Sequence, residues 1–294
     1  MGRMPSTTVA LPFTPPLDGD ALWDYLAARI IVGVEEIDAA SYRRTLALPH
    51  GPGVITIARP APGAAALTME VAAHPADLGA ATGAAGRIAD VGADPAAIVA
   101  GLGEHPWLGP LVRARPGVRA PGQAGGFEIA VRAVLGQQVS LAAACTHTSR
   151  LARTIGTPLA APDGALTHLF PTPAQLARVD PDDGETLAMP AGRRRALIAL
   201  ARAAADGLDL DGGLDADEAE RRLLALPGIG PWTTQYVRMR ALGDPDAYCG
   251  TDLVLRRAAE RLGGAPVDPI GTEFSPWRTY AAHHLWRHAQ LEAA

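Results

Sequence analysis

Leu226-Pro-Gly-Ile-Gly-Pro-Trp-Thr-Thr234, followed by Thr251-Asp252, is the stretch that decides what this chain can be. Two glycines around one apolar residue make a tight turn between helices, with Ile229 anchoring the turn in a core. Leu223 and Leu226 before it, and Tyr236 and Val237 after it, supply the packing faces. A helix opening at Trp232 leaves its first backbone N–H groups unpaired and pointing forward, an arrangement that suits a phosphate. A Gly-x-Gly link is also a common plain connector. Asp252 is equally open to two roles: N-cap of a following helix, or a carboxylate aimed at whatever the phosphate belongs to. Hairpin, spacer and Thr-Asp at a helix start together form a joint pattern far more specific than any one of them.

Composition narrows the field. With 294 residues and 48% hydrophobic content, the chain can bury a sizeable core and is expected to form two domains or one domain with subdomains. No apolar run approaches 18 residues, so no membrane span is expected. Met1 to Thr14 holds Arg3 but no apolar leader segment, which points to a cytoplasmic protein. Cys145 and Cys249 stand far apart, which argues against a disulfide framework, an iron–sulfur cluster and a paired-cysteine zinc site. All 26 basic residues are arginine, so no lysine can form a Schiff base. The net charge of −5 argues against coating nucleic acid by bulk electrostatics. That charge is uneven: residues 1–112 carry 6 Arg against 11 Asp and Glu, whereas residues 113–294 carry 20 of each. An anionic partner is expected to meet the second part, through backbone donors and local arginines.

Along the chain, Asp18 or Asp20 can cap a helix through about Ile31. Three strand-like runs follow, Tyr42–Leu48, Gly53–Ala58 and Ala66–Ala73, and then a helix from Pro75 to Val91. This predicts a small α+β domain over residues 1–92. From residue 93 onward the pattern is helical, with helices predicted at 95–101, 106–113, 125–136, 140–155, 172–179, 182–189, 191–207, 216–226, 232–242, 252–261 and 277–290. No strand is predicted in this part.

The collinear motifs carry a resemblance. Leu22-Trp-Asp-Tyr-Leu-Ala-Ala-Arg29, Arg115-Pro-Gly-Val-Arg-Ala-Pro-Gly122, Phe127-Glu, Val131 to Ser140, Phe170-Pro-Thr-Pro173, Leu226 to Thr234, Met239-Arg-Ala-Leu-Gly243 and Pro276-Trp-Arg-x-Tyr280 are similar, in this order, to the helix–hairpin–helix (HhH-GPD) DNA glycosylases. Within them the chain resembles the 3-methyladenine DNA glycosylase II (AlkA) group over nearly its whole length. The resemblance implies a mostly α fold with a small N-terminal α+β domain. An all-helical glycosylase core then spans 93–294, divided into one subdomain over 126–243 and another over 93–125 plus 244–294, with the active-site cleft between them.

It also implies a mechanism. Asp252 matches the catalytic aspartate that stabilises an oxocarbenium-like sugar as the N-glycosidic bond breaks. The target base leaves the duplex first. Bifunctional members carry a nucleophilic lysine two residues after the second hairpin glycine; Trp232 stands there, so a monofunctional enzyme without strand cleavage is expected. By the same match Trp277 stacks on the flipped base, with Trp232, Tyr236, Tyr25 and Arg29 around it; salt-bridging to a carboxylate is the competing role for Arg29. Seven of the 14 aromatic residues lie between Trp232 and Trp286, and electron-rich rings attract the cationic N3- and N7-alkylated purines. Backbone groups of Gly228, Ile229, Gly230, Trp232 and Thr233 are expected to hold DNA, and the carbonyls of Leu224, Leu226 and Ile229 a monovalent cation, Na+ or K+. Gln138 departs from the aliphatic wedge that fills the gap left by the flipped nucleotide in the best-known members. No cofactor is expected for catalysis, and His283, His284 and His288 lack a third ligand with zinc spacing.

The implied partner is double-stranded DNA with alkylated bases, acted on by a monomer at the bacterial nucleoid. A non-catalytic lesion binder and a glycosylase for deaminated or oxidised purines are the alternatives.

Overall fold

The computed structural model describes residues 6–263 and 271–292; the expectation about Met1–Thr14 falls partly outside them. Alternation of buried and exposed side chains builds one five-stranded antiparallel sheet from β1 (Ser6–Pro12), β2 (Glu35–Ile37), β3 (Ser41–Leu48), β4 (Gly51–Ala58) and β5 (Ala66–Ala72), in the order β1-β5-β4-β3-β2. Tyr42 and Leu46 of β3, Ile55 and Ile57 of β4, and Leu67, Met69 and Val71 of β5 form its apolar face. That face packs with α1 (Gly19–Ala27) and α2 (Leu78–Ala89). Asp18 caps α1 by accepting the Ala21 N–H at 2.9 Å.

The rest is mostly helical: α3 (Pro95–Leu102), α4 (Gly109–Ala114), α5 (Gly126–Leu135), α6 (Leu141–Ile155), α7 (Pro173–Ala177), α8 (Ala191–Ala205), α9 (Ala216–Leu224), α10 (Pro231–Arg240), α11 (Leu253–Arg261) and α12 (Arg278–Glu292). Two separate apolar clusters organise these helices. One gathers α5, α8, α9 and α10; the other gathers α3, α4, α11 and α12. Helix α10 feeds both, through Val237 and Met239 respectively, and Tyr236 touches each.

The structure differs from the sequence expectation at β1, at β2, in a hairpin within the helical part and at residues 182–189; β2 is a three-residue strand that pairs with β3. β1 lies on the sheet edge and buries only Leu11, so its alternation is too weak to read. A hairpin of β6 (Pro158–Asp163) and β7 (Leu166–His168) interrupts the helical part; its first strand is largely exposed and carries no apolar period. Residues 182–189 form turns rather than a helix. There Asp183 accepts the N–H groups of Glu185 and Thr186 and the Thr186 hydroxyl, which offers the backbone an alternative to helical bonding.

A buried polar network fastens the sheet to the helices. Arg44 on β3, 1% exposed, reaches Glu35 at 3.0 Å and Glu128 of α5 at 2.7 Å. Arg132, one turn after Glu128, returns to Glu35 at 2.7 Å. Gln123 donates to both glutamates, and Tyr42 donates to Glu35. A second junction lies at Asp90, which ends α2 in the left-handed region at φ 49°. It accepts the Ala120 N–H at 2.9 Å and the Tyr280 hydroxyl of α12 at 3.2 Å.

Burial pushes the Asp90 carboxyl up to about 6, against the opposing pull of the Ala120 N–H and Arg119. A carboxyl raised above its unfolded value favours the protonated fold, so its stabilising contribution is complete below the unfolded value and is lost as pH rises through about 6. Asp90→Asn keeps one acceptor, tolerates a left-handed backbone and cannot ionise. It is expected to stabilise the fold by about 1–2 kcal/mol at pH 8 relative to pH 4. Thermal unfolding of both proteins across that range checks this, and a pH-independent difference would contradict it.

Candidate active site

The hairpin's geometry follows from its two glycines. Gly228 sits at φ 76°, and a Cβ there would lie 2.8 Å from the Ala196 side chain, so the turn needs both the positive φ and the missing side chain. Gly230 is the N-cap of α10, Pro231 occupies its first position, and no side chain caps the helix. The helix therefore opens one residue earlier than expected. Among the described residues, the N–H groups of Gly228, Gly230, Trp232 and Thr233 have no acceptor. Ile229 differs: its N–H returns to the Leu226 carbonyl at 3.3 Å and its side chain is buried. The helix start, with its aligned dipole and these free donors, is an anion site.

Beside it runs the loop from α5 to α6. Gln138 is exposed at the tip with φ 56°, an uncommon backbone for a residue with a Cβ. Its neighbour Gln137 fastens the loop to the hairpin, donating to the Gly228 carbonyl at 2.9 Å and to Thr233 Oγ1 at 3.0 Å. Arg193 of α8 donates to the Gln137 carbonyl at 2.6 Å.

From the same region a cleft of about 450 Å³ opens between α1, α5, α6, α10, α11 and α12. Tyr25, Arg29, Trp232, Tyr236 and Asp252 all line it. Trp232 and Tyr236, one turn apart on α10, stack with ring centroids at 5.2 Å. Asp252 resolves its two candidate roles by splitting them. Oδ1 caps α11, accepting the N–H groups of Val254 at 2.9 Å and Leu255 at 3.1 Å, and it also takes the Trp286 indole N–H at 3.4 Å. No bond to Oδ2 is found among the described residues. Capping thus fixes the side chain while one oxygen stays available to the cleft.

Trp277 is elsewhere. It does not line the cleft; its ring presses on Gly101 of α3, where a Cβ would come within 2.4 Å of it, and meets Tyr280 edge-on. Trp286, not Trp277, joins Trp232 in lining the cleft. Trp277 and Trp286 are nine residues apart, about two and a half helical turns, and so fall on opposite sides of a helical repeat.

The sequence reading also missed Arg132, Arg240, Arg287 and His283, all on the cleft wall. Arg29 makes no ion pair among the described residues; its guanidinium lies 3.6 Å from the Tyr25 ring centroid. Arg240 lies 5.1 Å from the Tyr25 centroid and 5.5 Å from that of Tyr236. It donates to the Tyr236 hydroxyl at 2.8 Å and to the Pro121 and Gly122 carbonyls. Burial tends to raise the Tyr236 phenol, but Arg240 and Arg29 outweigh it and leave it lowered. His283, 3% exposed, is driven well below the usual histidine range by burial and then by Arg240 and Arg29, so its imidazole is neutral at pH 7. Cationic groups therefore lie against the rings of Tyr25 and Tyr236.

No group of three or more His, Cys, Asp or Glu side chains among the described residues is arranged to hold a metal ion, and no described helix is long and apolar enough to cross a membrane.

Comparison with known proteins agrees with this architecture. Residues 8–125 match the AlkA N-terminal domain, and residues 131–275 match the HhH-GPD superfamily base excision DNA repair protein family. DNA-3-methyladenine glycosylase 2 of Escherichia coli is 34% identical over 287 residues, covering 94% of this chain and 95% of that protein. The probable bifunctional transcriptional activator/DNA repair enzyme AlkA of Mycobacterium tuberculosis is 43% identical over 286 residues, 96% of this chain; the chain spans 57% of that relative's length. The structure of a 3-methyladenine DNA-glycosylase from Archaeoglobus fulgidus superposes with a TM-score of 0.83 at 16% identity, covering 97% of this chain and 99% of that one. The chain belongs to the AlkA group of the HhH-GPD superfamily of base excision DNA repair proteins.

Proposed function

We propose that this protein excises alkylated bases, 3-methyladenine and 7-methylguanine among them, from double-stranded DNA and leaves an abasic site. The observation that carries this is Asp252: a carboxylate fixed by its own helix, with an oxygen to spare, in an aromatic cleft whose α10 wall begins at an anion-binding turn. The free N–H groups of the hairpin hold a backbone phosphate, and the target nucleotide swings into the cleft. As the C1′–N bond lengthens, positive charge gathers on the sugar and Asp252 stabilises it. Water then adds to C1′ and its proton leaves with the base or to solvent. Trp286 holds Asp252 Oδ1, and Gln138 at the tip of its pinned loop fills the space vacated in the duplex. The carbonyls of Leu224, Leu226 and Ile229, neutral oxygen donors at the same turn, suit a monovalent cation. The protein acts as a monomer.

A second reading, release of uncharged deaminated or oxidised purines, is favoured by the guanidinium groups on the Tyr25 and Tyr236 rings. Both repel a cationic base, and both stabilise the negative charge that an uncharged base acquires on departure.

Asp252→Asn retains a capping oxygen and is expected to lower release of 3-methyladenine from methylated duplex about a hundredfold or more. Wild type is expected to release base without strand cleavage or a borohydride-trapped adduct. A wild type that binds lesions yet never releases them would overturn the enzymatic reading.

Trp286→Ala is expected to depress single-turnover release roughly tenfold, while Trp277→Ala acts on stability, costing about 2–4 kcal/mol as a partly buried ring removed from its packing. Folded Trp277→Ala losing as much activity as Trp286→Ala would contradict their placement. Arg29→Leu is expected to raise the rate on 7-methylguanine relative to that on hypoxanthine, measured in parallel; an unchanged ratio would count against repulsion by the guanidinium.

A further inference from the structure

Arg29 Nε and His283 Nε2 line the cleft and are buried without a hydrogen-bond partner among the described residues, and the Tyr25 hydroxyl faces only the hydroxyl of Tyr236. Leaving buried polar atoms unpaired is costly, and an orphaned group inside a cleft calls for a partner that a ligand can supply. Arg119 and Arg287 also line the cleft with an unpaired Nε, and Arg132 Nε has Glu128 at 3.5 Å. The other nitrogens of Arg119, Arg132 and Arg287 are tied to backbone carbonyls, Glu35 and Asp24 respectively, and Arg29 Nη1 donates to the Tyr25 carbonyl. His283 has no such tie, since neither of its ring nitrogens has a hydrogen-bond partner among the described residues.

These groups form a continuous line. Arg29 lies over the Tyr25 ring at 3.6 Å. Tyr25 and His283 have ring centroids 5.4 Å apart. His283 meets the Trp286 ring edge-on at 5.1 Å, and Trp286 donates to Asp252 at 3.4 Å. A base stationed along this line has polar groups at one end and the carboxylate at the other.

We infer that His283, with the Tyr25 hydroxyl and Arg29, is a specificity-determining group that reads the edge of an uncharged 6-oxopurine in the cleft. This rests on the glycosylase reading and goes beyond it by naming the group that selects the base. A 6-oxopurine presents a carbonyl acceptor beside a ring N–H donor. The guanidinium and phenol donate, and an imidazole without its second proton retains one nitrogen that accepts. Adenine presents the opposite order, an amino donor beside a ring acceptor. When the glycosidic bond of an uncharged base breaks, the charge that reaches the 6-oxo oxygen meets Arg29, a contact stronger in the transition state than before it. A cationic 3-methyladenine leaves as a neutral base and has less need of that help.

The test compares single-turnover release of hypoxanthine and of 3-methyladenine from duplex DNA by wild type, His283→Leu and His283→Gln. His283→Leu is expected to lower the hypoxanthine rate at least about tenfold more than the 3-methyladenine rate. His283→Gln, which restores a donor and an acceptor, is expected to recover part of that difference. Equal losses on both bases, or Gln no better than Leu, overturn the inference. If the Leu variant does not fold, Tyr25→Phe removes only a hydroxyl and is expected to shift the ratio the same way; an unshifted ratio overturns the inference. Wild type releasing 3-methyladenine but no hypoxanthine sinks this inference alone, whereas wild type releasing neither base sinks the glycosylase reading.

Discussion

The four buried charges of Glu35, Arg44, Glu128 and Arg132 set the frame in which everything else works. Two come from the sheet and two from α5, and they alternate in sign so that each faces an opposite partner. Desolvation alone would raise the Glu35 carboxyl, yet Arg132 and Arg44 hold it lowered. Such a set contributes little net stability over apolar packing, but removing one member leaves an uncompensated buried charge, typically at a cost of about 3–5 kcal/mol. Its value here is geometric. Arg132 also donates to the Arg29 carbonyl at 3.0 Å, and Glu35 accepts the Ile31 N–H at 2.8 Å. The segment following α1 is thereby held against α5, and with it the wall that carries Tyr25 and Arg29. The N-terminal domain, which has no chemistry legible in its sequence beyond those two residues, supplies one side of the cleft.

That frame explains the electrostatics of the cleft. Arg119, Arg132, Arg240, Arg287 and Arg29 all reach it, against the one carboxylate among its described lining residues, that of Asp252. Arg132 and Arg287 have carboxylate partners; Arg29 and Arg240 instead engage rings, phenol and carbonyls. Their charge is less compensated, and it adds to burial, the larger cause, in keeping His283 unprotonated. Arg29 lies over the Tyr25 ring and Arg240 near the Tyr25 and Tyr236 rings, an arrangement that a count of aromatic residues does not reveal.

The sequence exposed what rests on local pattern. The hairpin glycines, Asp252 as the residue before a helix, and β3 to β5 each leave a mark within a few residues: a turn composition, a cap, an alternation of period two. Tyr25, Arg29, Trp232, Tyr236 and Asp252 are legible because the motifs containing them are short and distinctive, and the fold brings all five into one cleft. What escaped depends on distant partners. β1 is a strand only because β5 offers it an edge. Arg240 is a cleft residue only because its charge is folded back over Tyr236 and Tyr25. Trp277 and Trp286 are both tryptophans near one helix, and which of them meets Asp252 is decided by rotation about α12 and by the close approach at Gly101. Nothing in their spacing decides whether the histidines of α12 face solvent or pack, and His283 and His284 are both buried.

Helix α10 joins grip to chemistry. Its first turn offers the N–H groups of Trp232 and Thr233, the Trp232 ring lines the cleft, Tyr236 follows one turn later, and Arg240 follows one turn after that. A phosphate held at the N-terminus of this helix is therefore placed relative to the pocket by a rigid rise of about 1.5 Å per residue rather than by a loop. The loop carrying Gln138 joins the same body through Gln137. On the proposed reading, an acidic chain of this kind has no need of a broad basic surface on DNA: a few fixed donors suffice, because each stands at a set distance from the Asp252 carboxylate.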